Sequence, residues 1–301
     1  MDAVKSTFSI KDLECFGGVK AHTIRMWERR YNLLEPKRTD TNIRYYDLAD
    51  LQKLLNVTFL LQHDYKISKV AEHSTEEIAH LVQEFLKKNR LGSNYHAISS
   101  FKIAMMNFDH HLFTKTFNTL SEKMEFRKIF FQVFIPLLEE IGLLWQSNAI
   151  NPAHEHFISN LIRQKMQVKI ESYSANNKST SSKTFVLFLP ENEIHDLGLI
   201  FLNYEVAAKG FKYIYLGQSI QTESLKYLVS ALPDAHFVSY MTINSNGISI
   251  AEFARQFNRD VESDKVPLYL LGRLIHEENQ ADMPSNVKLI KTIEAFQTLL
   301  N

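Results

Sequence analysis

The feature that most constrains the fold is a continuous apolar run, T-F-V-L-F-L at residues 184–189, followed by a polar loop and a second apolar segment. A short buried run of this kind, followed by a loop and a helix, is typical of a βα unit with a parallel strand. The loop reads P-E-N-E-I-H-D-L-G over residues 190–198. It should lie at the carboxyl end of the strand, where open α/β sheets bind ligands.

The loop contains the pattern E-x-H-x-x-G, with a histidine that could serve as a metal ligand. We expect His195 to be displayed at the sheet edge, with Glu193 and the adjacent Asp196 as groups that fix the tautomer of its ring. Gly198 would let a bulky ligand approach the backbone. An isolated match is also compatible with an ordinary surface histidine, so the rest of the chain must decide.

The carboxyl-terminal third predicts a doubly wound parallel sheet. Strands are expected at 184–189, 213–216, 236–241, 267–271 and 288–290, and helices at 197–209, 222–231, 248–259 and 293–300. The polar stretch 174–183 reads as a linker before this domain. The first βα loop lacks G-x-G-x-x-G and the segment has no P-loop, which disfavours dinucleotides and nucleoside triphosphates.

The amino-terminal segment, residues 1–73, predicts a winged helix-turn-helix. Helices are expected at 10–16, 20–30 and 48–61, with a glycine turn after the first and a small hairpin between residues 33 and 46. Residues 20–46 hold seven basic side chains against three acidic ones, a local net charge of +4 in a chain whose 34 Lys+Arg balance 34 Asp+Glu. Such a cluster on a helix-turn-helix predicts DNA binding.

The middle segment, residues 74–173, predicts a helical bundle. Apolar residues recur at helical spacing over 75–88, 93–107, 110–123, 126–146 and 152–172. Trp145 ends the fourth of these helices, and Glu155 and His156 lie in the first turns of the fifth. A core tryptophan with two exposed polar neighbours is the simpler interpretation.

Composition narrows the function classes. Cys15 is the only cysteine, so intrachain disulfides and cysteine-based zinc clusters are excluded. No run approaches 18 apolar residues and no apolar signal segment follows the start, which predicts a cytoplasmic protein without a membrane partner.

Two groups of residues carry a family resemblance. T-I-R-x-W-E-R-R-Y followed by R-Y-Y resembles the winged helix-turn-helix of MerR regulators, in the variant fused to cobalamin-binding domains. That resemblance implies contacts with double-stranded operator DNA, and makes Trp27 a core residue. The implied DNA-binding residues are Thr23, Arg25, Arg29, Arg30, Arg38, Arg44 and Tyr45.

Trp-x9-Glu-His and E-x-H-x-x-G together resemble the CarH/LitR-type cobalamin photoreceptor repressors. The resemblance implies that His195 ligates cobalt from below while the nucleotide tail enters the sheet, and that the bundle covers the upper face of the corrin. Two further signals of the family are imperfect here. Ser239 lies one residue short of the expected serine, so that the in-register triplet is Tyr240-Met241-Thr242, and the expected glycine pair appears as Gly272-Arg273. Gln146 replaces a second histidine of the light-sensing members. The implied cofactor-binding residues are Trp145, Glu155, His156, Glu193, His195, Asp196, Gly198, Ser239, Thr242 and Gly272.

The sequence thus predicts a multidomain α and α/β protein. It comprises a winged helix-turn-helix (1–73), a helical bundle (74–173), a linker (174–183) and a doubly wound, Rossmann-like cobalamin-binding domain (184–301). The implied function is non-enzymatic: a DNA-binding regulator, a repressor by resemblance, gated by adenosylcobalamin or methylcobalamin, responsive to light and assembled as a homo-dimer or tetramer. One alternative is a regulator of the same fold that is controlled by a partner protein without cobalamin, which Tyr240 and Arg273 favour. The other is a corrinoid carrier or enzyme subunit.

Overall fold

The computed structural model describes residues 7–39, 41–88, 93–146, 150–174, 182–243 and 247–300. The chain divides into two compact units, Met1–Ile162 and Arg163–Asn301. This division differs from the predicted domain boundaries, which remain predictions. Residues 175–181 of the predicted linker lie outside the described ranges.

The first unit begins with a winged helix-turn-helix. Ser9 caps α1 (Ile10–Gly17), and Gly18 ends it with a left-handed φ of 67° before α2 (Ala21–Tyr31). The wing pairs β1 (Lys37–Arg38) with β2 (Arg44–Tyr45) in antiparallel register. Asp47 then caps α3 (Leu48–Gln62). These elements confirm the predicted fold of the segment.

The helical bundle follows, and the boundary of the first unit at Ile162 falls within its last helix. It contains α4 (Ile67–Val70), α5 (Thr75–Lys88), α6 (Ser93–Met106), α7 (His110–Ser121), α8 (Phe126–Ile129), α9 (Ile135–Gln146) and α10 (Pro152–Ser174). The prediction of one regular helix over 126–146 was wrong, because a π-helical segment, Phe130–Phe134, separates α8 from α9. Pro136 supplies a reason, since it has no N–H to donate in the α-helical pattern.

The bundle packs directly on the helix-turn-helix. The Phe59 ring of α3 lies 5.6 Å from the ring of Phe85 in α5 and 5.3 Å from the ring of Tyr95 in α6. The buried ammonium of Lys102 in α6 donates to Glu140 Oε2 of α9 at 2.7 Å and to the carbonyl of Phe16 in α1 at 3.3 Å. Helices of the helix-turn-helix segment and of the bundle therefore share one core.

The second unit is built on a five-stranded parallel sheet in the order β4-β3-β5-β6-β7. The strands are β3 (Thr184–Pro190), β4 (Lys212–Ile220), β5 (Ala235–Tyr240), β6 (Leu268–Leu271) and β7 (Val287–Leu289). The helices of this unit are the end of α10, then α11 (Leu197–Ala208), α12 (Lys226–Ala231), α13 (Ile250–Asp260) and α14 (Ile293–Leu299).

The strand order identifies where this sheet can bind a ligand. The chain passes from β3 outward to β4 and then returns to β5 on the other side of β3, so the order reverses between β3 and β5. The loops after these two strands meet at this switch point. In the described ranges, no helix combines the length and apolar character needed to span a membrane.

Candidate functional site

The loop after β3 places a buried carboxylate at the switch point. Glu193 Oε1 accepts hydrogen bonds from the backbone N–H of His195 at 2.9 Å and from His195 Nδ1 at 2.7 Å. Glu193 Oε2 accepts from the backbone N–H groups of Thr242 at 3.3 Å and Ile243 at 2.9 Å. One side chain therefore joins the loop after β3 to the loop after β5.

The charge of Glu193 follows from these contacts. Burial by itself would raise the pKa of this carboxyl, but the hydrogen bonds from the N–H groups of His195 and Ile243, and from the His195 ring, outweigh it and lower the pKa below its ordinary value. The group is therefore an ionised carboxylate that can orient a histidine.

The geometry leaves the other ring nitrogen of His195 available. The hydrogen-bond network assigns a proton to Nδ1, because Glu193 is its acceptor. The side chain is 50 % exposed, and among the described residues Nε2 has no hydrogen-bond partner. A ring held at Nδ1 by a carboxylate, with Nε2 directed outward, is the arrangement that metal-ligating histidines adopt. This side of the site fits the lower ligand of a corrinoid.

The prediction that Asp196 helps to orient His195 was wrong. Its carboxylate pairs instead with Arg163 at the start of the second unit, accepting from Nη2 at 2.7 Å and from Nε at 3.2 Å. A guanidinium donates two parallel hydrogen bonds to a carboxylate, so it outcompetes a single ring N–H. Asp196 thus anchors the end of α10 to the start of α11.

Gly198 also differs from its predicted role. A Cβ at this position would lie 2.5 Å from the Tyr240 ring, so the space that a ligand would use next to the glycine backbone is taken by that ring. The ring is partly buried at the end of β5. The glycine therefore accommodates a side chain of the protein itself.

The remaining predicted cofactor residues of the sheet cluster around Met241. The fully buried Ser239 directs its hydroxyl to Met241 Sδ at 3.6 Å. Gly272 has a φ of 106°, and a Cβ there would lie 2.4 Å from the carbonyl oxygen of Met241. Thr242 contributes its backbone N–H to Glu193. These residues lie at the ends of β5 and β6, and Ser239 and Gly272 contact protein atoms.

The predicted upper-face residues lie in the first unit. Trp145 and Gln146 belong to the last turn of α9, but their side chains lie outside the described residues. Glu155 accepts from Ser159 Oγ at 2.7 Å and lies 3.3 Å from His156 Nδ1, and the His156 side chain is 72 % exposed.

His154 has a structural role. Its buried ring stacks on Phe108 at 4.7 Å, and its Nδ1 accepts from the backbone N–H of Asn151 at 3.1 Å. Of the two histidines that could replace the second cobalt ligand missing at Gln146, only His156 is accessible.

The exposed face of α2 carries the predicted DNA-binding arginines. Arg25, Arg29 and Arg30 are exposed, while Trp27 is buried as predicted. Arg29 Nε donates to the carbonyl of Arg25 at 3.4 Å. Thr23 lies half-buried near the start of the same helix. The face is basic and partly organised by its own hydrogen bonds.

The wing is fixed to α2 by Glu28 and Tyr46, which the sequence analysis did not single out, together with Arg44. Arg44 Nε lies 3.4 Å from Glu28 Oε2, and the hydroxyl of the buried Tyr46 donates to Glu28 Oε1. Burial, with Glu28 alongside, raises the pKa of Tyr46, so the phenol stays protonated. Glu28, the acidic residue within W-E-R-R, is the feature of the sequence that could have predicted this contact. Arg44 and the half-buried Tyr45 therefore lie on a strand held against α2, and Arg38 Nη1 donates to Asn42 Oδ1 at 2.7 Å in the wing loop.

Comparison with known proteins agrees with this architecture. Residues 8–77 match the family model described as "MerR HTH family regulatory protein", and residues 97–169, covering most of α6 to α10, match "B12 binding domain". The chain is 27 % identical to the HTH-type transcriptional repressor CarH of Myxococcus xanthus over 79 % of this chain and 80 % of that protein. It is 24 % identical to the repressor CarA of the same organism, over 78 % of this chain and 77 % of CarA.

A solved structure supports the fold of about two thirds of the chain. The monomethylamine corrinoid protein of Methanosarcina barkeri superposes with a TM-score of 0.56, covering 69 % of this chain and 98 % of that chain at 15 % identity. The helix-turn-helix with its basic face, the B12-binding match and the similarity to CarH and CarA lead to one conclusion. The chain is a B12-gated, DNA-binding transcriptional regulator that combines a MerR-type helix-turn-helix with a B12-binding domain.

Proposed function

We propose that this regulator is a repressor that binds adenosylcobalamin through His195. The observation that carries the proposal is the Glu193–His195 pair, in which a buried ionised carboxylate holds Nδ1 at 2.7 Å and leaves Nε2 for cobalt. His195 would hold the corrinoid through Nε2, and the bound group would supply a cobalt centre with, in the adenosyl form, a light-sensitive cobalt–carbon bond. The protein acts by binding, without catalysing a reaction.

The DNA-binding half of the proposal rests on α2 and the wing. Arg25, Arg29 and Arg30 would meet phosphates or base edges of operator DNA, with Thr23 near the helix start. Arg38, Arg44 and Tyr45 would serve the wing, where Glu28 fixes the orientation of β2 to α2. Phosphate contacts would position the protein, and base contacts would select the sequence.

The sensing half involves the bundle. We infer that Trp145, Glu155 and His156 meet the upper face of the corrinoid, as the resemblance implies, and that cofactor binding favours a dimer or tetramer that holds DNA. Similarity to CarH and CarA supports repression. His156, exposed on α10, is the accessible histidine for a light-driven change of ligand.

A second candidate function keeps the DNA-binding role but replaces the corrinoid with a partner protein as the controlling signal. The Tyr240 ring favours it, because the ring occupies the space beside Gly198 that a nucleotide tail would need. In that case the regulator would bind DNA identically with and without cobalamin.

The decisive experiment titrates purified full-length protein with adenosylcobalamin in the dark. We expect a bound-corrinoid spectrum with axial imidazole in wild type and a weaker, spectrally different complex in His195→Ala, with His276→Ala as the exposed matched control. The oligomeric state is then measured by size exclusion before and after green light. The affinity for a DNA duplex selected from a random pool is measured under the same two conditions. Identical spectra and affinities for wild type and His195→Ala would refute the ligand assignment. If wild type binds no corrinoid but still binds DNA, the partner-controlled regulator is the better account.

A further inference from the structure

An apolar side chain lies in the middle of the basic face of α2. Met26 is 40 % exposed. Residues three and four positions apart are neighbours on a helix surface, so the exposed side chains one turn before and after Met26 share its face. Those neighbours are polar or basic: His22, Arg29 and Arg30. Met26 is therefore an apolar spot surrounded by the side chains that are proposed to meet DNA.

The position of Met26, rather than its exposure, is the informative observation. Single exposed apolar side chains are common on protein surfaces, and the core contacts of α2 are made from its other face by Ile24 and Trp27. Arg29 Nε donates to the carbonyl of Arg25 at 3.4 Å, and this hydrogen bond holds the Arg29 side chain against the helical turn that contains Met26. The arginines thus leave the thioether uncovered between them.

The motif determines what this face meets. In a helix-turn-helix, the second helix lies in the major groove of DNA, and some of its side chains contact base edges there. The basic residues on either side of Met26 are attracted to the phosphates that border the groove. A side chain in the middle of the same face is then directed toward the base pairs.

The chemistry of the thioether limits which base it can contact. Methionine has no N–H or O–H, and covering a hydrogen-bonding group of a base with it would leave that group without a good partner. The major-groove edges of the base pairs carry one apolar group, the C5-methyl of thymine. A flexible, polarisable methionine side chain packs well on such a group.

We propose that Met26 contacts the C5-methyl group of a thymine in the major groove of the operator, and that this contact makes the regulator select thymine at that position. The inference rests on the proposed placement of α2 against operator DNA. It does not depend on a corrinoid at His195.

Deoxyuridine provides the test, because it pairs with adenine as thymidine does and lacks only the methyl group. A duplex selected from a random pool with full-length wild type is prepared with deoxyuridine at one thymine position at a time. Affinities are measured at fixed salt in the dark, with and without adenosylcobalamin. For wild type we expect a thymine whose replacement weakens binding about fourfold, the effect of removing one buried methyl group.

Substitutions at Met26 identify the side chain that contacts the methyl group. Met26→Ala should bind the thymine and uracil duplexes equally, and it should fold, since alanine has the highest helix propensity and the site is exposed. Met26→Leu keeps an apolar side chain and should retain most of the difference. Ile43→Ala, which removes an exposed apolar side chain from the wing loop, is the control and should keep the wild-type difference.

Two results would overturn the inference while leaving the proposed DNA-binding role intact. One is a selected duplex in which no deoxyuridine weakens wild-type binding. The other is an equally large effect of deoxyuridine in Met26→Ala, which would assign the effect to DNA shape or to another side chain. If Arg25→Ala, Arg29→Ala and Arg30→Ala all leave the affinity unchanged, the placement of α2 on DNA is itself wrong, and both proposals fail.

Discussion

At the scale of single residues, Glu193 is the group on which the proposed cobalt ligand depends. Glu193→Gln keeps the shape but loses the charge, and its amide NH2 would face N–H donors that the carboxylate now satisfies. We expect corrinoid affinity to fall about 10–100-fold, the usual cost of losing a partner that orients a metal ligand. Glu191→Gln, exposed in the same loop, is the control, and an absorbance titration measures both. Equal affinity of Glu193→Gln and wild type would show that His195 needs no orienting group.

The depressed pKa of Glu193 also predicts how stability depends on pH. A carboxyl whose folded pKa lies below its unfolded value stabilises the protein above the unfolded pKa, and this contribution is lost as pH falls through the folded pKa. In the ligand-free protein, wild type should therefore lose stability on acidification more steeply than Glu193→Gln. Urea denaturation across the acidic range measures the difference, and parallel curves would contradict the assignment.

Gly198 and Tyr240 form a pair that can be tested by a double-mutant cycle. Gly198→Ala places a methyl 2.5 Å from the Tyr240 ring, and such overpacking costs about 1–3 kcal/mol. In a Tyr240→Ala background the same change should cost much less, so the coupling should be favourable. The Tyr240→Ala variant should also gain affinity for cobalamin relative to cobinamide, which lacks the nucleotide. If the two changes in the free energy of unfolding are additive, the cost of Gly198→Ala does not arise from the Tyr240 ring.

At the scale of secondary-structure elements, Lys102 connects a helix of the DNA-binding part with the helix that carries Trp145. Lys102 is 3 % exposed, and its ammonium donates to the Phe16 carbonyl at the end of α1 and to Glu140 of α9. Lys102→Met should change stability by about 0–2 kcal/mol, because Glu140 can be solvated and the methionine fills the space. It should reduce the change in DNA affinity that adenosylcobalamin causes. Lys115→Met, exposed on α7, is the matched control, and an undiminished corrinoid effect would exclude this connection.

Most of the helices and strands could be predicted from the sequence, while several contacts between them could not. Apolar periodicity located α5 and the buried strand β3, since each carries its pattern within one segment. The π-helical segment before α9 was missed because apolar spacing stays nearly helical through it. The pairing of Asp196 with Arg163 spans 33 residues, and that of Glu28 with Tyr46 spans 18, so neither could be derived from local spacing. The E-x-H core of the site was predictable because both side chains belong to one loop.

At the scale of the whole molecule, the proposed DNA-binding face and the proposed cobalt ligand belong to different compact units. The first contains the basic face of α2 and the bundle, and the second contains the His195 loop. The helix α10 belongs to both units, since it runs through the boundary at residues 162 and 163 and carries Glu155 and His156 near its amino-terminal end. We therefore expect a corrinoid bound by the second unit to change the free energy of DNA binding by the first.

Thermodynamic linkage makes that statement quantitative. If adenosylcobalamin changes the affinity for operator DNA by some factor, DNA must change the affinity for adenosylcobalamin by the same factor, and couplings of this kind are typically about 5–150-fold. We expect both titrations, performed in the dark at fixed salt and protein concentration, to give one factor, and His195→Ala to bring it close to 1. The salt dependence of DNA binding should persist in that variant, since it reports phosphate contacts of α2 and the wing. If wild type binds both ligands tightly but the coupling factor is 1, the corrinoid does not gate DNA binding. A ligand with equal affinity for two states does not change the equilibrium between them.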